Sequence, residues 1–488
     1  MRKSKNFEFY EPEFLEQKIK RTKVITTIGP STNSKEKIKE LYEAGMNVVR
    51  LNFSHGNHED HGKVIEACRE IQKELKKPIS IMLDTKGPEI RVGKNQNGVC
   101  KVNKGDTITI ISDEKQFDSK ICGDKEFSVS YDMSIDLKVG DTVLVDDGKL
   151  TLNVIKVEPK KITTTAFNTH NIKDNKRINL PGVEFTLPFL AEKDKNDIKF
   201  GALKNVDYIA ASFVNNAKNV EEIRTILKEN NAEHIQIISK IESKIGLINI
   251  DEIIEHGDGV MIARGDLGLE VPYYEVPYWE KKIIRKCRKA NKIVIVATQM
   301  LESMTDNPQP TRAEVTDVYH ATELGADATM LSGESAAGTF PILATEVMST
   351  INKRAELAFY GKIYYDLALA KAKDTSGDSS RAKIAYDLAI KSREGEYEYA
   401  IVASRTGSLL KMISKFRPNV TILGICESKE NYTKFGVWHS IFMNRVESLE
   451  QTIESKEELS KIAKVWGLKP GTKVLVARSD KTWEIIIK

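Results

Sequence analysis

The segment IQIISKIES, residues 235–243, combines an apolar strand with two opposite charges. Its isoleucines are typical of a strand that is buried on both faces. Lys240 and Glu242 stand two residues apart, so in a strand their side chains project from the same face. The function of this pair depends on where that face points, and therefore on the fold around it.

Short apolar segments of the same kind recur along the chain, separated by amphipathic segments with helical spacing such as SKEKIKELYEAG (34–45). Buried strands that alternate with helices indicate parallel βαβ units. Eight such units predict an α/β fold with a (β/α)8 TIM barrel, and an open doubly wound sheet is the competing interpretation. The predicted strands lie in 23–29, 46–53, 79–85, 206–213, 235–241, 259–264, 292–298 and 328–333.

The alternation stops between the third and fourth strands. Residues 88–187 instead show period-two alternation and turn signals, including DDGK at 146–149, which predict an inserted antiparallel β domain. After the polar loop DTSGDSS (374–380), apolar segments at 399–404, 421–426 and 473–477 predict a last α/β unit. The predicted domains are an N-terminal extension (1–20), a barrel (21–87 and 188–358), the insertion (88–187) and a C-terminal α/β domain (359–488).

Composition excludes several classes of protein. The 488 residues carry 74 basic and 70 acidic side chains, and this even balance disfavours nucleic acid as a partner. No segment approaches the roughly 18 apolar residues of a membrane span, and the N-terminus resembles no targeting peptide. The five cysteines are scattered without a CxxC pair, as expected of reduced thiols. We therefore expect a soluble cytoplasmic protein that does not bind membranes.

Polar or charged residues follow six of the eight predicted strands. In a barrel of parallel strands these ends meet at one mouth, where ligands bind. The residues concerned are Arg50, Asn52, Ser54, His55, Asp84, Thr85, Lys86, Lys240, Glu242, Arg264, Asp266, Thr298, Gln299, Ser332 and Glu334.

Glu242 and Asp266 follow neighbouring strands and could share a hard divalent cation such as Mg2+. The alternative is that each forms an ion pair, Glu242 with Lys240 or Lys244, and Asp266 with Arg264. Spacing alone leaves both interpretations open. Beside a metal, Lys240 would present its charge to a phosphoryl group or to an enolate.

Nucleotide-binding signatures of the Walker A and GxGxxG types are absent from the sequence. Any phosphate must therefore be bound by other groups. Arg50, Arg91 and Lys193 are candidates because their charges would lie near the mouth, although each could equally be ordinary surface charge.

Six motifs together resemble the pyruvate kinase family over residues 21–355. They are RLNFSHG (50–56), LDTKGPEIR (83–91), SKIES (239–243), ARGDLG (263–268), ATQMLESM (297–304) and MLSGESAAG (330–338). The resemblance implies that phosphoenolpyruvate donates a phosphoryl group to ADP in glycolysis, giving ATP and a Mg2+-stabilised enolpyruvate that is then protonated to pyruvate. It also implies that the insertion is a small β-barrel lid, that the C-terminal domain is regulatory and oligomerising, and that the protein is usually a homotetramer.

The same resemblance assigns roles at the mouth. Glu242 and Asp266 would bind Mg2+ or Mn2+, Arg50 would contact the transferred phosphate, and Lys240 would neutralise it. We expect Lys240 to remain free of Glu242 for this purpose. The substrate carboxylate and the proton relay to the enolate would use Gly265, Asp266, Thr298 and Ser332.

A monovalent-cation site and a nucleotide site are also implied by the resemblance. The residues that match the K+ site are Asn52, Ser54, Asp84 and Thr85. The residues that match the ADP side are Asn52, His55, Arg91 and Lys193. In the family, Glu at the position of Glu89 accompanies dependence on potassium, whereas other members carry Lys at this position.

The C-terminal segment VASRTGSLLK (402–411) resembles the family's effector-phosphate loop. The matching residues are Ser404, Arg405, Thr406, Gly407 and Ser408. Leu409 replaces the usual hydroxyl residue, which argues against a sugar bisphosphate and leaves a sugar monophosphate, AMP or no effector as alternatives.

Two other functions are compatible with parts of the pattern. A Mg2+-dependent, enolate-forming lyase on a similar barrel would share the carboxylate pair but would not need the K+ set or the insertion. A non-catalytic, effector-binding relative would be expected to lose Lys240, Glu242, Asp266 or Thr298, and the chain retains all four.

Overall fold

The structure is a computed structural model that describes residues 19–119, 123, 125–184, 186–361, 363–394 and 397–488. Most of the predicted N-terminal extension, residues 1–18, lies outside the described residues. Ile19 packs against the core of the C-terminal domain, and Lys20 is buried.

Eight parallel strands form a closed barrel, as predicted, and each is paired with its neighbours in chain order around the ring. All of them lie within the predicted segments, and the Val- and Ile-rich sequences explain why they are buried on both faces. The barrel strands are β1 Lys23–Thr27, β2 Val48–Asn52, β3 Ser80–Asp84, β13 Tyr208–Ala211, β14 Gln236–Ile241, β15 Gly259–Ala263, β16 Ile293–Ala297 and β17 Ala328–Leu331. Strands β4 to β12 belong to the insertion.

Helices surround the barrel, and several begin at side chains that cap their free N–H groups. Asn57 accepts from Asp60 N, and Thr311 forms a reciprocal capping box with Glu314. The helices are α1 Lys35–Glu43, α2 His58–Leu75, α3 Glu192–Leu203, α4 Ala217–Glu229, α5 Lys244–Ile248, α6 Ile250–His256, α7 Arg264–Glu270, α8 Val276–Ala290, α9 Arg312–Glu323, α10 Gly333–Ala336 and α11 Pro341–Gly361.

Four residues at the base of the barrel form a repeated arrangement that we call the base ring: Asn47, Asp207, Asp258 and Asp327. They immediately precede the second, fourth, sixth and eighth strands of the barrel, which are β2, β13, β15 and β17. The backbone N–H of each donates to a carbonyl in the preceding barrel strand, and its side chain accepts from the N–H of that same residue. These reciprocal partners are Val24, Ile81, Ile237 and Val294 respectively.

The carbonyl groups of the base ring complete the connection around the barrel. Each accepts from the first residue of the next strand around the barrel, namely β3, β14, β16 or β1, so every strand start is bonded to the next. The donors are Ser80, Gln236, Ile293 and Lys23, at 3.4, 3.1, 3.3 and 2.9 Å. The backbone N–H groups at these strand starts, which would otherwise lack partners, are thereby hydrogen-bonded.

The C-terminal domain is a five-stranded sheet in the order β20, β19, β18, β21, β22, with helices packed against it. Three strands agree with the prediction, and the structure adds β20 and β22. The strands are β18 Tyr399–Ala403, β19 Thr421–Cys426, β20 Ile441–Arg445, β21 Lys473–Ala477 and β22 Thr482–Ile486. The helices are α12 Ile363–Asp374, α13 Ser380–Arg393, α14 Ser408–Phe416, α15 Lys429–Thr433, α16 Leu449–Glu454 and α17 Lys456–Val465.

A segment of this domain, residues 433–440, closes the base of the barrel. Val437 and Trp438 join the core cluster that fills the barrel interior. The Tyr208 hydroxyl donates to Lys434 O at 2.5 Å and accepts from Val437 N at 3.2 Å. A Cβ atom on Gly436 would lie 1.9 Å from the Ser80 hydroxyl, so only glycine allows this close approach.

The insertion is itself a small barrel, as predicted. Its main sheet has the order β4, β12, β8, β9, β10, β6, β7. An isolated bridge between Val92 and Val129 joins the residues that directly follow the two outer strands, β4 and β7. DDGK forms the predicted turn, between β8 and β9. Strands β6 and β7 are parallel, in contrast to the antiparallel prediction. The strands are β4 Ile90–Arg91, β5 Val99–Val102, β6 Thr107–Ile111, β7 Glu126–Ser128, β8 Thr142–Val145, β9 Leu150–Glu158, β10 Lys161–Ala166, β11 His170–Lys173 and β12 Arg177–Asn179.

Among the helices of the described residues, none is both long enough and apolar enough to cross a membrane.

We expect Asp327→Ala to lower the free energy of unfolding by about 3–5 kcal/mol, the usual cost of removing one partner of a buried ion pair. Asp327 accepts from Val294 N and His439 N, and it forms an ion pair at 2.8 Å with the buried Arg417. Urea unfolding followed by circular dichroism measures the change. Glu59→Ala, at an exposed ion pair with Lys63, is the control and should unfold like wild type. Equal stability of the two variants would contradict the importance of the base ring.

Candidate active site

Asp84 is a fully buried charge at the barrel mouth. Its carboxylate accepts from Arg50 Nε at 2.6 Å and from Lys240 Nζ at 3.0 Å. Burial alone would raise the pKa of Asp84, but the charges and hydrogen bonds of Arg50 and Lys240 outweigh it and lower that pKa. Asp84 is therefore an anion that fixes two cations in place.

Lys240 lies at the end of β14 with its ammonium group inside the mouth. Nζ is 2.6 Å from Ser212 Oγ, 3.0 Å from Asp84 Oδ1 and 3.1 Å from Glu242 Oε1. Burial lowers the pKa of Lys240, but the neighbouring carboxylates of Asp84 and Glu242 raise it overall, so the amine stays charged. The prediction that Lys240 and Glu242 share a face is confirmed.

The expectation that Lys240 stays free of Glu242 is wrong. The two groups form an ion pair. Among the contacts of the described residues, no other cation lies closer to Glu242. The alternative partner proposed for Glu242, Lys244, has an exposed side chain. The other oxygen of Glu242 accepts from Phe213 N at 2.7 Å.

Burial raises the pKa of Glu242 to about 7, and the nearby charge of Asp266 adds to this effect although Lys240 opposes it. A raised pKa means that the surrounding positive charges do not fully offset the cost of burying the Glu242 anion. A further cation nearby would stabilise the charged form. Glu242 and Asp266 follow consecutive barrel strands, β14 and β15, and both supply carboxylate oxygens, which Mg2+ prefers. The pair therefore fits a divalent cation.

The described residues contain no cluster of three or more His, Cys, Asp or Glu side chains able to hold a metal. Two carboxylates are nevertheless enough for Mg2+, because this ion keeps waters or substrate oxygens in its remaining positions.

Asp266 lies in the first turn of α7 and pairs with an arginine that its sequence neighbourhood does not indicate. Arg177 NH1, from β12 of the insertion, is 2.5 Å from Asp266 Oδ1. The suggested pair of Asp266 with Arg264 is wrong, because the Arg264 guanidinium instead reaches Glu280 of α8 and Asp317 of α9. Arg264 thus connects the outer helices, and it also donates to the backbone carbonyls of Thr298 and Gln299, at 2.9 and 3.1 Å.

Two further contacts join the insertion to α7. Gly182 N donates to Glu270 Oε2 at 3.2 Å, and a Cβ on Gly148 would lie 3.0 Å from a methyl group of Leu269. Together with the Arg177 ion pair, these contacts hold the insertion against one side of the barrel mouth.

Thr298 and Gly265 meet at the predicted carboxylate pocket. Gly265 N donates to Thr298 Oγ1 at 2.8 Å, and this hydroxyl donates to Ala297 O at 2.6 Å. Thr298 has φ of +65°, which is unusual for a β-branched residue and is a form of backbone strain found at functional sites.

Ser332 follows β17, and its hydroxyl oxygen is buried without a hydrogen-bond partner among the described residues. Its backbone N–H donates to Glu334 Oε2 at 2.7 Å, and Glu334 also accepts from Leu301 N. Buried hydroxyls are normally paired, so this unpaired Oγ is the kind of group that meets a water or a ligand.

The predicted K+ residues lie on neighbouring strands. Asn52 is paired in register with Asp84, and Asn52 Oδ1 accepts from Ser54 N at 3.1 Å. Thr85 Oγ1 accepts from Ser212 N at 3.1 Å. This set of one carboxylate and neutral oxygens suits a monovalent cation.

The predicted nucleotide residues are only partly brought together. Lys193 Nζ donates to Phe53 O at 2.7 Å, next to the segment that carries Asn52 and the exposed His55. Arg91 lies on the insertion, where Glu89 holds its guanidinium at 2.8 Å.

The predicted effector loop, residues 404–408, lies between β18 and α14 and borders a cavity of about 490 Å3. Arg381, which the sequence analysis did not single out, donates to Ser408 Oγ at 2.9 Å. Arg405 pairs with Glu450 at 3.0 Å, so acidic as well as basic groups line the cavity.

Sequence reasoning missed three residues of the mouth: Thr27, Ser212 and Arg177. Thr27 accepts from Arg50 NH1 at 2.8 Å, and Ser212 contacts Lys240. Both follow or end barrel strands, so the rule of polar strand ends could have found them. Arg177 lies 89 residues from Asp266 in an insertion, and no local spacing indicates that contact.

Comparisons with known proteins agree with this geometry. The family model described as "Pyruvate kinase, barrel domain" matches residues 19–345. A pyruvate kinase of Mycoplasma pneumoniae is 40% identical over 482 residues, covering 92% of this chain and 94% of the relative. A pyruvate kinase of Clostridium perfringens is 41% identical over 469 residues, covering 95% and 97%.

The crystal structure of a pyruvate kinase from Cryptosporidium parvum superposes with a TM-score of 0.88 and 33% identity, covering 98% of both chains. The matches extend through the barrel, the insertion and the C-terminal domain. The chain therefore belongs to the pyruvate kinase family and is a phosphotransferase.

Proposed function

We propose that this chain transfers the phosphoryl group of phosphoenolpyruvate to ADP, and that the charged residues of the barrel mouth perform the transfer. The observation that carries the assignment of residues is the position of Lys240, whose ammonium lies within 3.1 Å of Asp84, Ser212 and Glu242. Phosphoryl transfer requires positioning and charge neutralisation more than covalent chemistry, and this site supplies both.

Arg50 and Lys240 are the proposed phosphate-binding cations. Asp84 fixes both by ion pairs, and Thr27 accepts a further hydrogen bond from Arg50. A cation whose position is fixed before the reaction needs little reorganisation as charge develops on the transferred group. Lys240 would therefore stabilise the migrating phosphoryl group, while Arg50 orients it.

Glu242 and Asp266 are the proposed ligands of Mg2+ or Mn2+. When bound, the metal would neutralise phosphate and enolate oxygens of the substrate. Gly265 and Thr298 are proposed to receive the substrate carboxylate, with the absence of a side chain at Gly265 allowing the ligand to approach the backbone.

Thr298 and Ser332 are proposed to guide a proton to the enolate carbon. Ser332 Oγ is buried and lacks a partner among the described residues, and it could bond a water molecule. Such a water, held also by Thr298, would deliver the proton after phosphoryl transfer. The insertion above the mouth would exclude bulk water that could compete with ADP as acceptor.

We propose three further properties that the family suggests: a cytoplasmic homotetramer, an ADP site at Asn52, His55, Arg91 and Lys193, and an effector site at residues 404–408. The C-terminal cavity bordered by Arg381 and Arg478 would suit a small phosphate ester. Sedimentation velocity tests the tetramer, and titration with AMP and sugar monophosphates in the assay tests the effector.

The assay for the function contains phosphoenolpyruvate, ADP, Mg2+ and K+. We expect pyruvate and ATP to form in equal amounts, measured by enzymatic detection of each product. Omitting ADP should prevent pyruvate formation, because the insertion keeps water from acting as acceptor. Release of pyruvate without ATP would contradict the proposed reaction.

We expect Lys240→Met to lower kcat by at least about 10²–10³-fold, the usual effect of removing one group that stabilises developing charge. Binding of Mn2+ should remain, since Glu242 and Asp266 are retained. Steady-state kinetics and Mn2+ titration measure the two effects. Lys244→Met, at an exposed lysine nearby, is the control and should keep wild-type turnover. Normal turnover by the Lys240 variant would disprove its role.

We expect activity to depend on K+, because Glu89 does not supply a positive charge near the mouth. Replacing K+ by Na+ at matched ionic strength should lower kcat by about tenfold or more, equivalent to about 1.4 kcal/mol of transition-state stabilisation. Glu89→Lys should reduce this difference. Equal rates of the wild-type enzyme in the two salts would contradict the assignment of the K+ site.

A further inference from the structure

Arg177 is the charged side chain that the insertion extends into the barrel mouth to contact Asp266. It lies at the start of β12, and its guanidinium donates to Asp266 Oδ1 at 2.5 Å. Both side chains are about one-fifth exposed, at 19% and 20%. The contact is thus a partly buried ion pair between two domains.

The surroundings of Arg177 fix its guanidinium group at this position. Its Cζ atom lies 5.0 Å from the centre of the Phe213 ring, and Phe213 N donates to Glu242. Among the carboxylates near Arg177, Asp266 attracts its guanidinium most strongly, followed by Glu242 and Glu89. Arg177 therefore compensates the charge of both carboxylates that are proposed to bind the divalent cation.

We propose that Arg177 is a counter-cation that holds Asp266 while the divalent metal is absent, and that the metal displaces it. The inference rests on the proposed function, which takes Glu242 and Asp266 as the metal ligands. A guanidinium at hydrogen-bond distance from Asp266 is repelled by a divalent cation on the same carboxylate. Metal binding and the Arg177 ion pair consequently compete.

The competition has a second consequence, for the position of the insertion. The contacts that hold the insertion to α7 are the Arg177 ion pair, the hydrogen bond from Gly182 to Glu270 and the packing of Gly148 near Leu269. The ion pair is the one among these that carries opposite full charges. When the metal breaks it, the two weaker contacts with α7 remain among those described here, and metal binding is coupled to movement of the insertion at the mouth.

Mn2+ titration of the substrate-free enzyme tests the competition, with free Mn2+ measured by electron paramagnetic resonance. We expect Arg177→Gln to bind Mn2+ about fivefold or more tightly than wild type, a typical strength of coupling between sites. Lys176→Gln is the matched control, because it removes the same charge from the adjacent residue, which pairs with Asp146 and not with Asp266. Its Mn2+ affinity should equal that of wild type.

Arg177→Lys is a second variant that keeps the charge, and it should bind Mn2+ more weakly than Arg177→Gln. Thermal unfolding of each variant shows that the compared proteins are folded. If Arg177→Gln binds Mn2+ with wild-type affinity or more weakly, the inference is overturned.

Hydrogen exchange measured by mass spectrometry tests the coupled movement. In wild type, Mn2+ should increase amide exchange in residues 177–184, whereas in Arg177→Gln exchange there should be high already and insensitive to Mn2+. An effect of Mn2+ that is equal in both proteins would overturn the coupling.

Asp266→Asn separates this inference from the proposed function. If this variant binds Mn2+ like wild type, the assignment of the metal ligands is wrong and the proposed function fails at that point. If it loses Mn2+ while Arg177→Gln binds no more tightly than wild type, the ligands are correct and only the role of Arg177 is refuted.

Discussion

The base ring is the constraint on which the rest of the structure depends. Asn47, Asp207, Asp258 and Asp327 each bond the start of their own strand to the strands on both sides. Since side chains alternate along a strand, a shift of one residue would turn every inward side chain outward. The ring at the base therefore sets which residues face the mouth at the opposite ends of the strands.

The two ends of the barrel differ in how fully their polar groups are satisfied. At the base, Asp327 accepts from two backbone N–H groups and pairs with a buried arginine, and residues 433–440 cover this end of the barrel. At the mouth, Ser332 Oγ is unpaired among the described residues, Thr298 has a strained backbone, and Glu242 carries a raised pKa. Such concentration of unfavourable features at one end is expected of a site whose ligands complete it.

Much of the barrel could be predicted because periodicity is a local property, and the shared face of Lys240 and Glu242 follows directly from it. Strands β20 and β22 were missed because their apolar patterns, in SIFMNR and TWEII, are short and partly polar. The partners of charged residues could not be predicted for a different reason. Arg264 is two residues from Asp266 but turns toward α8, whereas Arg177 reaches Asp266 through the placement of a separate domain.

The pairing of β4 with β12 also affects how the chain can fold. Ile90 and Ile178 are partners in register, so the insertion begins and ends at neighbouring points of one small barrel. If the insertion folds first, strands β3 and β13 are joined by a shorter effective connection, although residues 85–207 separate them in the chain. The entropic cost of closing the main barrel is then close to that of an uninterrupted one. The insertion raises the sequence separation of β3 and β13, but its position keeps their effective separation small, which limits the cost to the folding rate.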